Sequence, residues 1–465
     1  MLERRGATFP EVRKTGNFAE RRVTMRKKRK VSRRDFLKAT GGALVGGAAL
    51  STGFRMARAA PAEVKIGVIY PLSGPVAHAG KMSKDAVDLC VDYVNNKWPQ
   101  LPIPIGKWEG IPGLKGAKIK LIHADHRGEP DRGADLAKKL IMDEKVVGIC
   151  GCYHSSVTKT VSTVCEKYKI PMINPESTSP ELTKRGYKWF FRCTPHDRIF
   201  LRDFFEFMEL LKQGKVSGIG AVSKSDIDTI GACTENTEWG AATRDVIKEF
   251  AKEYGYQIVS DVSYTHESPD LSSEVRRLLA PKPKVLMFAS YLSDAILLTK
   301  TMMEVKAKAN VFWSQDVGFY QPKYIETFGA AIEGILNRTV FSKKLFAVKP
   351  VAADINEEFK KRAGVDFMGT SARAFTGMQA WAYVLNEAGS TDPEVIQKTA
   401  NKIEIPGKEL IVPWKGIKFE DVAGETNQNT WSSGLIVQYQ KQEPEIIYPL
   451  DVATAKFVYP WPGWK

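Results

Sequence analysis

From residue 64 onward the chain repeats one unit, a short apolar run followed by a stretch whose apolar residues recur at helical spacing. VKIGVIYPL reads as a strand, and SKDAVDLCVDYVNN as an amphipathic helix with Val87, Cys90, Val91 and Val94 on one face. AKIKLIHAD and DRGADLAKKLIMDE make the second pair. VVGICGC and SSVTKTVSTVCEKY make the third, with Val157, Val161, Val164, Cys165 and Tyr168 as the apolar stripe, and IPMINP closes the set. Apolar strands that alternate with helices build a parallel sheet covered on both faces, because parallel neighbours need a crossover and the crossover is right-handed.

The alternation pauses around FFRCTPHDR and resumes with strand VSGIGAVS. Helix AATRDVIKEFAKEY, strand YQIVSDVSY, helix LSSEVRRLLA, strand KVLMFAS, helix SDAILLTKTMMEV and strand NVFWSQ follow. Two successive sets predict two similar α/β lobes, each a doubly wound parallel sheet. The stretch KWPQLPIPIGKWEGIPGLKG, rich in Pro and Gly, reads as a surface insertion. Past residue 340 a helix is expected around ARAFTGMQAWAYVLNEAG, then a strand at GLIVQYQ and a tail rich in Pro and Trp.

With 465 residues, 43% hydrophobic and 26% charged, the chain has a globular composition. Its formal charge of +15 is not a nucleic-acid signature. Residues 1–60 hold 16 Lys and Arg against 4 Asp and Glu, which is +12 and leaves +3 for everything after. In that basic segment MRKKRKVSRRDFLKATGGALVGGAALSTGFRMARAAP runs from charge, through Arg33 and Arg34, into a weakly apolar stretch from Ala39 to Phe54. Ala57-Arg58-Ala59 then offers a small-residue cleavage site. The order is that of an export signal, and SRRDFLK resembles the twin-arginine (Tat) motif. The apolar part is short and glycine-rich against the about 20 residues a membrane helix needs. Residues 1–59 are therefore read as a leader passed to the Tat export machinery and cleaved near Ala59, with the mature chain in the periplasm.

Six cysteines, at 90, 150, 152, 165, 193 and 233, show no C-x-x-C spacing, and each reads as a small buried apolar residue. His123 and His126 in HADH sit at a strand end with no third ligand nearby, so no metal and no cofactor is expected. His154 beside Ser155 and Ser156 is no nucleophile and base pair, since sequence neighbours rarely meet in that geometry and no G-x-S-x-G is present. The first loop, YPLSGPVAHAG, lacks G-x-G-x-x-G, which argues against a nucleotide-dependent enzyme.

In open parallel sheets ligands bind beyond the carboxyl ends of strands. The polar loops there are SGPVAHAG, CYHSS and NPESTSP. Ser155 and Ser156 open a helix, where hydroxyls and free N–H groups suit a carboxylate. The competing reading is that these hydroxyls only cap helices. In NPESTSPELTKRG the two compete within one loop: Ser179 or a neighbour can cap a helix near Glu181, which leaves Ser177 and Thr178 facing the cleft.

SGPVA after the first strand, SSVTKTV after the third, IPMINPESTSPELTKRGYKWFFR and the late WKGIKFE together resemble the periplasmic leucine/isoleucine/valine-type binding proteins of ABC transporters, over nearly all of residues 63–460. The resemblance implies two α/β lobes joined by three crossings and closing around a small ligand. It implies lobe one from 60–195 plus 340–428, and lobe two from 196–339 plus 429–465. By the same resemblance Ser155, Ser156, Ser177 and Thr178 would grip an amino acid's carboxylate and ammonium, with Ser177 where the family usually has alanine. Trp239 in TEWGAA and Tyr291 in ASYLSD would close an aromatic lid, and either Gln315 or Asp316 in WSQDVG would fall where the family places an acid. The family's bulky aromatic near the first loop, SGPVAHAG, is replaced by Ala79 here, and the cysteine opposite Cys152 in some members is missing.

The function so implied is not enzymatic. It is capture of a small amino acid, branched-chain or otherwise hydrophobic, and delivery to the permease of an ABC importer. An amide, urea or an aromatic or aliphatic carboxylate as ligand, and a sensor role, are the alternatives. The chain ends at YPWPGWK with neither a span nor an output domain, which favours the carrier. Hinge bending is expected at crossings near 192–197, 336–342 and 427–432.

Overall fold

The computed structural model describes residues 62–464 apart from Asp316. The leader reading of residues 1–59 and the candidate Asp316 lie outside the described residues. Five strands pair in parallel in the first sheet: β1 (Glu63–Tyr70), β2 (Lys118–Asp125), β3 (Gly148–Gly151), β4 (Met172–Asn174) and β5 (Phe190–Arg192). The crossovers are α1 (Ala77–Asn95), α2 (Pro130–Met142) and α3 (Ser155–Tyr168). The interior strands β3 and β4 are buried throughout, whereas the edge strand β2 is mostly half-exposed. That is why β3 and β4 read as unbroken apolar runs. The helix stripes fall as their spacing requires, with Val87, Cys90, Val157 and Val161 all fully buried.

After α4 (Asp197–Lys212) the pattern repeats: β6 (Thr229–Glu235), α5 (Glu238–Glu253), β7 (Gln257–Tyr264), α6 (Ser272–Leu279), β8 (Val285–Ala289), α7 (Leu292–Glu304), β9 (Val311–Ser314), α8 (Pro322–Phe328) and β10 (Leu336–Thr339). The parallel parts of the sheets run β2-β1-β3-β4-β5 and β7-β6-β8-β9-β10, the same winding twice. The chain then returns to the first sheet through α9 (Pro350–Ala363), α10 (Gly369–Ala388) and α11 (Pro393–Ala400). There β11 (Glu404–Pro406), β12 (Gly416–Val422) and β13 (Glu425–Asn429) extend it beyond β5. Finally β14 (Leu435–Gln440) and β15 (Glu443–Tyr448) add to the second sheet beside β10. The chain thus passes between the sheets three times.

Three sequence expectations are corrected. VSGIGAVS is not a strand; the residues form turns and loop, and the strand is TIGACTE, β6, whose middle is buried on both faces so that its polar letters hide it. The pause after FFRC is filled by α4, an aromatic helix with Phe200, Phe204, Phe207, Met208 and Leu211 buried at three- and four-residue spacing. The Pro- and Gly-rich insertion is not a surface loop, for Leu101, Ile103, Ile105, Ile111 and Leu114 are buried in the first lobe's core. Beside the five parallel strands of each sheet, β11–β12–β13 and β10–β14–β15 pair antiparallel, with β13 joined to β5 in parallel.

Helix α10 sets the position of the loop after β4. It is buried almost all round, and a Cβ on its Gly377 would stand 2.6 Å from that of Pro175. Only glycine lets the loop's first proline sit this close to the helix. All six cysteines are buried free thiols.

Candidate functional site

The strand order reverses between β1 and β3 and again between β6 and β8. At such switch points the loops leave the carboxyl ends of neighbouring strands in opposite directions and open a crevice. In the first sheet Tyr70, Gly151 and the loop from Pro175 to Pro180 border that crevice. In the second, Glu235 and Tyr291 do.

The first half is organised by α3. Gly151 has φ +132° and its Cβ position lies 2.2 Å from the Ile69 carbonyl, so no larger residue fits. Tyr153 follows in the left-handed region at φ 77°, and its carbonyl accepts a hydrogen bond from the Ser177 hydroxyl at 2.9 Å. The Ser177 oxygen is also 2.7 Å from Thr158 Oγ1, which accepts from the Cys152 N–H at 3.2 Å. The N-cap residue is His154, and no side chain caps the helix. Ser155, fully inside, accepts from the Ser179 N–H at 3.3 Å, while Ser156 is half-buried. The capping reading of these serines is therefore corrected: they stand in the first turn, and the N-terminal amides of α3 are left to something other than a side chain. Ser179 likewise caps nothing. Its hydroxyl donates to Glu238 Oε1 at 3.3 Å.

The second half is made of rings. Tyr291 ends the loop after β8, and its ring centroid lies 5.0 Å from Trp239, 4.8 Å from His266, 5.0 Å from His154 and 6.2 Å from Tyr153. His154 and Tyr153 belong to the first sheet's loops, so Tyr291 is where the halves touch. Burial holds the His154 imidazole well below its usual range, with His126 and His266 adding to the effect. Burial acts on His266 in the same direction, but Asp294 Oδ2, 2.7 Å from its Nδ1, overrides it and raises the group. Glu235 folds back to accept from the Gly240 N–H at 2.6 Å and the Thr237 hydroxyl at 2.8 Å, which fixes the start of α5 and so Trp239. His126 is a satisfied core residue: its Nε2 lies 2.9 Å from the Cys152 carbonyl, its Nδ1 accepts from the Gly128 N–H, and burial brings it down to about 4.

A buried network joins the halves. Asp197, at the start of α4, accepts from Thr178 Oγ1 at 2.9 Å, Thr243 Oγ1 at 3.2 Å, Gln315 Nε2 at 3.0 Å and Arg338 Nη2 at 3.0 Å. Arg338 and Asp197 are buried to within 1%, and the guanidinium lies 4.1 Å over the Phe200 ring. The crossings are also tied to each other, with Asn429 Nδ2 donating to the Cys193 carbonyl at 2.9 Å and His196 Nε2 3.0 Å from Glu425. Nearer the surface Lys159 on α3 pairs with Glu238 on α5 at 2.7 Å.

The structure therefore brings Ser155, Trp239 and Tyr291 to one place through His154, and joins Thr178 to Gln315 through Asp197. Ser177 is turned into its own lobe. Several polar atoms at this level are buried without a hydrogen-bond partner, among them His154 Nδ1, Trp239 Nε1 and Glu176 Oε1. Interior polar groups are rarely left so unless a guest or solvent serves them. Sequence reasoning missed His266, Asp294, Asp197, Arg338 and Glu176. His154 and Glu176 lay in the quoted loops, but nothing local marked the others. Among the described residues no cluster of His, Cys, Asp and Glu could hold a metal, and no helix is long and apolar enough to cross a membrane.

The sequence model described as periplasmic binding protein matches residues 63–438. Leu/Ile/Val-binding protein homolog 8 of Brucella suis biovar 1 (strain 1330) is 27% identical over 419 residues, 89% of this chain and 97% of its own. Homolog 7 of the same strain is 25% identical, with 89% and 98% covered. Among solved structures, the leucine binding protein LivK of Thermotoga maritima MSB8 superposes with TM-score 0.64 at 20% identity, over 83% of this chain and 99% of that one. The substrate binding protein LivJ of Streptococcus pneumoniae, a branched-chain amino acid transporter component solved with isoleucine, gives 0.66 at 17% identity, over 86% and 100%. At these identities the structural likeness speaks to the fold.

Proposed function

Because the chain belongs to the periplasmic binding protein family, whose model spans residues 63–438, we propose that it is the solute-binding component of an ABC importer, holding a small amino acid between its lobes and handing it to a membrane permease. The observation that carries this reading is the place where the halves meet. The uncapped start of α3 with Ser155 and Ser156 meets Tyr291 and Trp239 through His154, and His154 Nδ1 and Trp239 Nε1 there are buried without partners. Uncapped amides and a helix N-terminus suit a carboxylate. Rings cover an apolar body at low entropic cost. The relatives' names, Leu/Ile/Val-binding protein homologs, support an amino acid as ligand.

In this reading the ligand settles on the first lobe, and rotation about the three crossings brings the rings down over it. Asp197, which already bonds both Thr178 of the first lobe and Arg338 of the second sheet, would act as the pivot's fastening. Ser156 is the directly contacting hydroxyl, and Thr178 holds the loop to the pivot. Gln315, which donates to Asp197, belongs to the same fastening.

Titration calorimetry of the full chain with leucine, isoleucine and valine tests the assignment. Replacing Ser156 and Thr178 together by Ala is expected to weaken the amino acid that binds by roughly tenfold or more, the worth of a lost hydrogen bond to a charged group. Unchanged affinity in the double variant would move the carboxylate site elsewhere. A second reading, a ligand with a polar far end such as an amide, is favoured by Glu176.

A further inference from the structure

Glu176 stands in the same loop as Ser177 and Thr178 yet serves neither α3 nor the Asp197 network. Its side chain is 4% exposed. Oε2 accepts from the Tyr70 hydroxyl at 3.1 Å, whereas Oε1 has no hydrogen-bond partner. Ser83 on α1, fully buried, also has an unpartnered hydroxyl, near enough to Glu176 to favour its charge. Arg373 on α10 favours the charge as well. The thiols of Cys150 and Cys193 complete the surroundings. Tyr70 ends β1 and Cys150 lies in β3, so the carboxyl sits at the first sheet's switch point, where a doubly wound fold places its ligand.

This is an awkward thing to bury for structure alone. A carboxyl inside a protein is normally satisfied at both oxygens, and an unmet acceptor keeps its full desolvation penalty. Burial outweighs the neighbours that favour charge and lifts the group to about 7. A branched hydrocarbon side chain brought against Oε1 and the Ser83 hydroxyl would leave both unmet. A hydrogen-bond donor brought there would meet them.

We propose that Glu176, with Tyr70 and Ser83, forms a polar subsite at the inner end of the cleft that receives an N–H donor of the ligand, an ammonium or a carboxamide nitrogen remote from the group held at α3. The inference rests on the carrier reading and narrows it, because the ligand then bears a second polar group in place of a bare branched side chain. Tyr70 fixes Oε2 by its hydroxyl proton, which leaves Oε1 as the acceptor open to the ligand's donor. Ser83 can turn to accept from the same donor.

Calorimetry of the full chain with leucine, glutamine and lysine decides it, because these share their α-groups and differ at the far end. Glutamine or lysine is expected to bind roughly tenfold or more tighter than leucine, and Glu176→Gln to weaken that ligand roughly tenfold. Tyr70→Phe should weaken it in the same sense by less, and provides a second reading if Glu176→Gln folds poorly. The pH separates the two donors. Lysine affinity should rise between pH 6 and pH 8 as the carboxyl ionises, whereas glutamine affinity should not. If leucine binds at least as tightly as both and is unchanged by Glu176→Gln, the subsite is wrong and the carrier reading stands. If leucine, isoleucine, valine, glutamine and lysine all fail to bind the wild type, both fall together.

Discussion

On the first sheet's side of the cleft the wall is made of hydroxyls whose hydrogen bonds close within the lobe: Ser177 to Thr158 and the Tyr153 carbonyl, Ser155 to the Ser179 N–H. On the second sheet's side it is made of rings, Trp239, Tyr291 and His266, with the His266 imidazole held 2.7 Å from Asp294. Both walls rise from the same winding of strands. Their chemistry therefore comes from the loops, as expected where function is grafted on a shared scaffold. Directional bonds hold a surface ready before anything arrives, and rings can dock with little angular demand. The first half is built to be a fixed platform and the second to be the part that lands on it.

The comparison breaks first at the fastening between the halves. Asp197→Ala removes the carboxylate that accepts from Arg338, Thr178, Thr243 and Gln315. A loss of about 3–5 kcal/mol in urea unfolding is expected, the cost of removing one partner of a buried ion pair. Thr178→Ala should cost only about 1 kcal/mol, the net worth of an ordinary hydrogen bond. Equal losses would mean that the hydroxyl wall, not the ion pair, carries the joint.

Glu176 puts a charge question inside the platform. Its folded-state value of about 7 lies above the ordinary glutamate value of 4.5, so between the two the folded chain binds the extra proton. Stability from this group is fully present below about 4.5 and is lost as the pH rises through about 7. Replacement by the non-titrating Gln removes that dependence. The melting temperature of Glu176→Gln relative to wild type should rise from pH 5 to pH 8, by the equivalent of about 2–3 kcal/mol. Asp203, also raised to about 7 by burial, is common to both proteins and cancels. A pH-independent difference would show that Glu176 is solvated or fully paired.

The rings are the next test. Tyr291→Leu keeps apolar volume but ends contacts with Trp239, His266 and His154. Aromatic pairs are worth about 0.5–1.5 kcal/mol each beyond burial, so ligand affinity should fall roughly fivefold to tenfold. A fall of that size without change in the pH dependence would assign the ring to closure. An unchanged affinity would leave the platform as the whole site.

The platform was the more legible half, for a physical reason. SSVTKTVSTVCEKY predicted α3 to the residue, because its stripe and its start are local properties. Trp239 and Tyr291 were found through a resemblance, but the contact with His266 could not be, since β7 and β8 must pair with β6 before it exists. Asp197 was hidden in a stretch read as a pause, and the turn of Ser177 away from the cleft depends on the backbone of Tyr153. Buried strands such as TIGACTE lose the alternation that marks half-buried ones, which is why VSGIGAVS reads as the strand in its place.

The smallest expected effect tests whether closure needs charge at all. Lys159 and Glu238 are the ion pair nearest the surface between α3 and α5, with half of the lysine side chain and 16% of the glutamate exposed. Exposed pairs are worth about 0.2–1 kcal/mol and are screened by salt. Glu238 has a second partner in the Ser179 hydroxyl, so Lys159→Ala removes the charge pair and leaves the hydrogen bond. Ligand affinity should fall no more than about fivefold at low ionic strength, and the difference from wild type should vanish near 0.5 M salt, where the Debye length is down to roughly 4 Å. Because Lys159 lies outside the ring contacts, a larger or salt-independent loss would mean that α3 and α5 meet through this pair. The landing of one half on the other would then be steered by charge as well as by the rings.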